Sequence, residues 1–150
     1  MADSIPQDFD VDAADMIEMV VPNNLRAAKA PEDKILEALE RNGYSADTIF
    51  AIKLALEEAM TNAVKHGNRN DPSKHITVLY TVNDRYTCVV VRDEGMGFCP
   101  AAVPDPTQTE NLERPFGRGI MLMTSYMTKV HFGENGNEVW MLKNKNESNP

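Results

Sequence analysis

Apolar and polar positions divide the chain into a readable series of elements. Residues 15–21 alternate, with Ile17, Met19 and Val21 on one face, which predicts a β-strand. Pro22-Asn23-Asn24 stops it and offers a helix cap. A helical pattern carried by Ile35, Leu36 and Leu39 runs to about Asn42 and closes at Gly43. Pro31 either kinks this helix or starts it, since Glu32 and Asp33 suit a first turn. Ser45 is a good N-cap for a longer helix reaching His66, with Gly67 just past its end. Its seam, Ile49, Ile52, Leu56, Ala59/Met60 and Ala63, keeps the three-and-four spacing of a buried helical face.

Two strands follow, 76–82 and 86–92, with a turn around Asn83-Asp84. The composition then changes: Pro100, Pro104, Pro106 and Pro115 break a polar stretch from Cys99 to Phe116. A loop of that length inside one domain is usually functional. A glycine-rich start opens a short helix over about 119–127, and a hairpin, 129–132 and 138–143, closes around Glu134-Asn135-Gly136-Asn137. Residues 1–14 read as a polar tail, 15–144 as one domain and 145–150 as a frayed end. Strands and helices do not strictly alternate, which favours an α+β sandwich over a doubly wound parallel sheet.

Composition narrows the function. The 150 residues suit one domain, and 42% hydrophobic with 25% charged content is ordinary for a globular one. A net charge of −8 argues against non-specific nucleic-acid or anionic-membrane binding, which needs a basic footprint. It leaves room for a basic protein partner, or for a ligand whose charge is carried by a metal ion. No apolar run approaches a membrane span, and the acidic start lacks the plan of a signal peptide. Cys88 and Cys99 form no disulfide or metal framework, and a reducing cytoplasm is the expected compartment.

Three motifs carry chemistry. In Glu57-Glu58-Ala59-Met60-Thr61-Asn62-Ala63-Val64-Lys65-His66-Gly67, Glu58 and Asn62 are four apart, roughly 40° around the helix axis, with Lys65 on the same side. A carboxamide oxygen beside a carboxylate suits Mg²⁺, and the carboxylate can orient or accept the proton of an attacking hydroxyl. Glu57, displaced by about 100°, is the poorer candidate. In Arg92-Asp93-Glu94-Gly95-Met96-Gly97-Phe98, alternation puts Asp93 on the apolar face of Val89 and Val91. A carboxylate there needs a donor, and a purine's exocyclic amine is one. In Phe116-Gly117-Arg118-Gly119-Ile120, glycines lead into a helix start whose free N–H groups suit phosphate oxygens. Each motif alone has an ordinary explanation: a solvated helix face, a plain turn, a loop before a helix.

In this order and on these elements, the motifs resemble those of the GHKL ATPase superfamily (gyrase, heat-shock chaperone, histidine kinase and MutL types). Glu58-x-x-x-Asn62 looks like its N box, Asp93-x-Gly95-x-Gly97 its first glycine box and Gly117-x-Gly119 its second. Within it, Glu58-Ala59-Met60-Thr61-Asn62-Ala63 followed by His66-Gly67 is similar to the signature of the anti-sigma-factor serine/threonine kinases of bacterial partner switches. Leu112-Glu113-Arg114 before the second glycine box resembles theirs too.

The resemblance implies a two-layer α/β sandwich: a mixed, mostly antiparallel sheet with helices on one face and an ATP lid over about 100–116. It implies ATP and Mg²⁺ as cofactors. Glu58 would position or deprotonate the partner's hydroxyl, Asn62 would hold Mg²⁺, and Asp93 would bind the adenine amine. Gly95, Gly97 and Phe98 would shape the base pocket. Gly117, Arg118 and Gly119 would meet the phosphates, and Arg114 would steady the γ-phosphate. Lys65 matches a phosphate-contacting lysine by spacing, and His66 belongs to the same set without a proton-transfer role. Two departures stand out: Pro115-Phe116 adds a residue between Arg114 and Gly117, and Pro31 interrupts a helix that contributes to partner binding in the family.

The activity implied is an ATP-dependent kinase that sequesters a sigma factor and phosphorylates an anti-anti-sigma partner, with homodimerisation by analogy. Two alternatives stand beside it: a nucleotide-gated binding switch without phosphotransfer, and a catalytic domain serving a separate histidine phosphoacceptor. The intact Glu58/Asn62 pair favours the kinase over the first, and the Thr-Asn-Ala-x-x-His-Gly form of the motif argues against the second.

Overall fold

Hydrophobic alternation in the strands and three-and-four spacing in the helices build two packed layers, seen in a computed structural model that describes residues 5–95, 123–133 and 137–146. The elements are β1 (Ile17–Pro22), α1 (Lys29–Arg41), α2 (Ala46–Thr61), β2 (His75–Val82), β3 (Tyr86–Arg92), β4 (Lys129–Phe132) and β5 (Glu138–Asn144). The strands form one five-stranded sheet in the order β1-β2-β3-β5-β4. The sheet is the α+β arrangement expected, but every pairing among the described residues is antiparallel rather than mixed.

Local chemistry accounts for the boundaries. Asn24 Oδ1 accepts from the Ala27 amide at 2.7 Å and starts the turn that leads into α1. Pro31 stands in the first turn of α1, where its missing N–H is not needed, so it starts the helix rather than kinking it. Gly43 closes the helix in the left-handed region at φ 74°. Ser45 caps α2, its Oγ accepting from the Thr48 amide at 3.1 Å.

The second helix departs from expectation at its end. Regular α geometry stops at Thr61, and residues Asn62–Gly67 form a π-helical turn. Asn62 N–H still reaches Glu58 O, but Asn68 N–H bonds Ala63 O, five residues back, at 2.8 Å.

The helices cover one face of the sheet. Ile35 and Leu39 of α1 and Ile52, Leu56 and Met60 of α2 pack on Val78, Val89, Val91 and Met141. The opposite face carries a second apolar cluster of Leu79, Cys88, Val90, Trp140 and Leu142. It is covered by residues 5–16, nearly all within the stretch 1–14 that reads as a polar tail. Phe9 is buried there, edge-on to Trp140 at 6.0 Å between ring centres, with Ile5, Val11 and Met16 beside it. No helix among the described residues is long and apolar enough to cross a membrane.

Candidate active site

Antiparallel pairing brings four chain segments to one rim of the sheet. β3 ends there at Arg92, β2 begins at His75, β5 begins at Glu138, and β1 ends at Pro22. The π turn at the end of α2 arrives at the same rim and meets the residues that follow β3.

The contact is close because side chains are missing. A Cβ on Gly67 would lie 2.1 Å from Asp93 Oδ2, and one on Gly95 would lie 1.9 Å from Gly67 O. Two glycines thus let the carboxylate of Asp93 sit flush against the helix end. Asp93 Oδ1 accepts the Gly95 amide at 2.8 Å, and the Asp93 amide donates to Asn137 O at 2.9 Å. Burial pushes the Asp93 carboxyl up to about 6, partly opposed by the Gly95 N–H and by the positive charge of Lys74. Oδ2 has no hydrogen bond among the described residues, so the group is a desolvated acceptor waiting for a donor.

The helix face behind this junction is as the sequence pattern places it. Glu58 and Asn62 are one turn apart, both half-buried, and neither side chain makes a hydrogen bond or ion pair among the described residues. Glu57 points elsewhere: its carboxylate meets Lys29 of α1 at 3.4 Å, and Lys29 also meets the buried Glu32 at 3.3 Å. Lys65 and His66 are exposed on the π turn. A π turn advances each residue by less than an α turn does, so Lys65 lies further from the Glu58/Asn62 face than α-helical counting places it.

Asn68 carries no mark in the sequence pattern, where an asparagine after His-Gly reads as a turn residue. It is fully buried, at 0% exposure, and its Oδ1 accepts the Glu94 amide at 2.7 Å. The only available signal was its place directly after a helix-ending glycine, which does not distinguish a cap from a buried hub. His75 is likewise tied in: its amide donates to Glu94 Oε1 at 2.6 Å.

Gly97, Phe98, Arg114, Gly117, Arg118 and Gly119, the expected lid over 100–116, and residues 119–122 of the short helix read at 119–127 lie outside the described residues; residues 123–126 are helical.

A helix-backed antiparallel sheet with a half-buried Asp-x-Gly turn and a Glu/Asn helix face at one rim defines an α+β domain with a candidate site at the end of its sheet. The chain belongs to the histidine kinase-like ATPase domain family, whose model matches residues 21–143. It is 30% identical over 123 residues to the serine-protein kinase RsbW of Bacillus subtilis, covering 78% of this chain and 77% of that one. It is 36% identical over 87 residues to the anti-sigma F factor of Geobacillus thermodenitrificans, covering 56% of this chain; the chain spans 59% of that relative's length. The fold is shared with the solved RsbU and RsbW domains of a Mycobacterium tuberculosis protein, at a TM-score of 0.59 and 18% identity over 90% of this chain and 33% of that one. The expected GHKL membership and its likeness to anti-sigma-factor kinases are thereby borne out.

Proposed function

We propose that this protein is an ATP- and Mg²⁺-dependent serine/threonine kinase that acts in the cytoplasm as an anti-sigma factor and phosphorylates an anti-anti-sigma partner. The observation that carries the reading is the Asp93 carboxylate, held between Gly67 and Gly95 with one oxygen unbonded among the described residues. Such an acceptor fits the exocyclic amine of adenine. The donor set for the metal also fits: Mg²⁺ takes oxygen ligands and keeps several waters, so the Asn62 carboxamide with phosphate oxygens is sufficient. Bound Mg-ATP supplies the γ-phosphoryl group. Glu58, one turn before Asn62 on the same face, orients the partner's hydroxyl and takes its proton. Lys65 on the π turn would contact phosphate, and Gly97, Phe98, Arg114, Gly117, Arg118 and Gly119 would complete the base and phosphate contacts. The likeness to a serine-protein kinase and to an anti-sigma factor supports the same activity.

The test is phosphotransfer from Mg-ATP to a cognate small anti-anti-sigma-type protein, read as phosphoserine or phosphothreonine on that partner. Glu58→Gln should retain nucleotide binding and lose transfer by roughly 10²–10⁴-fold. No transfer by the wild type with ATP still bound would reject the kinase and leave a nucleotide-gated switch.

A further inference from the structure

Asn68 is a buried amide that joins four segments through one side chain. Its Nδ2 donates to Asn23 Oδ1 at 2.9 Å and to His75 O at 3.0 Å, and its Oδ1 accepts the Glu94 amide at 2.7 Å. Its own N–H closes the π turn on Ala63 O. Asn23, 6% exposed in the connection between β1 and α1, is held in turn by donating to Asp71 O at 3.0 Å. Both hydrogens of Nδ2 and one lone pair of Oδ1 are used, so removing the side chain strands three partners at once, the Asn23 carboxamide fully buried and the His75 carbonyl and Glu94 amide part-buried.

The position of one of those partners matters beyond stability. The backbone of Asp93 is gripped on both sides: its own amide by Asn137 O, and the next amide, that of Glu94, by Asn68 Oδ1. With its Cα fixed this way and Gly67 pressed against the carboxylate, Asp93 has one direction in which to present Oδ2. A hydrogen bond that discriminates between ligands depends on such placement, because a loose acceptor binds the correct and the amine-lacking base almost equally well. We infer that Asn68 is a positioning residue for base recognition, setting the preference for a 6-aminopurine nucleotide by holding the Asp93–Glu94 peptide. The inference rests on the reading of Asp93 as the adenine acceptor.

The experiment measures Kd by titration calorimetry for ATP and for purine riboside triphosphate, which lacks only the 6-amino group. The full chain is used as wild type, Asn68→Ala, Asp93→Asn and the double variant. Wild type should prefer ATP, and Asn68→Ala should reduce that preference roughly 10-fold, chiefly by weakening ATP. In the Asp93→Asn background, Asn68→Ala should leave the ratio unchanged, because the acceptor it positions is gone. A purely structural role would lower Tm and the folded fraction but leave the ratio alone. An unchanged ratio in Asn68→Ala therefore overturns the inference while the nucleotide reading stands. If that variant does not fold, Asn23→Ala removes one of the Nδ2 bonds and should reduce the ratio about 3-fold; no change there overturns it equally. A wild type with no preference for ATP would overturn the adenine role of Asp93 itself, and the inference with it.

Discussion

Asp93 is in tension with the fold that holds it. Its carboxyl, raised from 3.8 to about 6 chiefly by burial, binds a proton more tightly in the folded protein than in the unfolded chain. Stability therefore falls as pH rises between about 4 and 6, and the full penalty persists above about 6. The ionised group is therefore a net cost to the ligand-free protein, softened by the solvent that still reaches this half-buried carboxylate. Asp93→Asn should raise Tm at pH 8, and the gain over wild type should shrink toward pH 4; denaturation at both pH values checks this. The same change should weaken ATP roughly 10–100-fold, because Oδ1 keeps the Gly95 N–H while an NH₂ replaces the free acceptor facing the adenine amine. A variant that is more stable and still binds ATP normally would contradict the adenine assignment.

At the level of elements, the decisive join is between the π turn and the residues after β3. The close approach of Gly67 to Asp93 leaves no room for a methyl group. Gly67→Ala should displace the carboxylate and reduce ATP affinity at least 10-fold, with a stability loss of about 1–3 kcal/mol from overpacking; calorimetry and chemical denaturation separate the two effects. Most elements were legible in the sequence because alternation and helical spacing are set by burial. Tyr86–Arg92 appears with the bounds the pattern gives, and Ser45 caps its helix as read. The π turn was not legible, since Ala59, Met60, Ala63 and Val64 are apolar in an order that both helix types can bury. The Glu58/Asn62 face was readable because α geometry lasts just long enough to include Asn62 N–H on Glu58 O. Asn68 was hidden because hydrogen-bonded burial of a carboxamide leaves no periodic trace.

Across the whole molecule, the sheet is covered on both faces by quite different means. Helices cover one face, and twelve acidic-looking residues cover the other through Phe9, Ile5, Val11 and Met16, which show no periodicity. Phe9→Ala should cost about 2–4 kcal/mol through the lost contact with Trp140 and expose apolar surface to a dye such as ANS. ATP affinity should be unaffected, since Asp93 lies on the helix side; a large change in Kd would mean the two faces are coupled. The antiparallel order has a practical consequence at the opposite rim. There the β2–β3 turn is locked by Asn83, whose Oδ1 accepts the Arg85 and Tyr86 amides and whose carbonyl accepts the Tyr44 hydroxyl. Strand length puts that turn roughly 30 Å from Asp93. The exposed Asp84 at its tip is therefore the place to anchor the protein to a sensor surface or a fluorophore, leaving the ligand end open to solution.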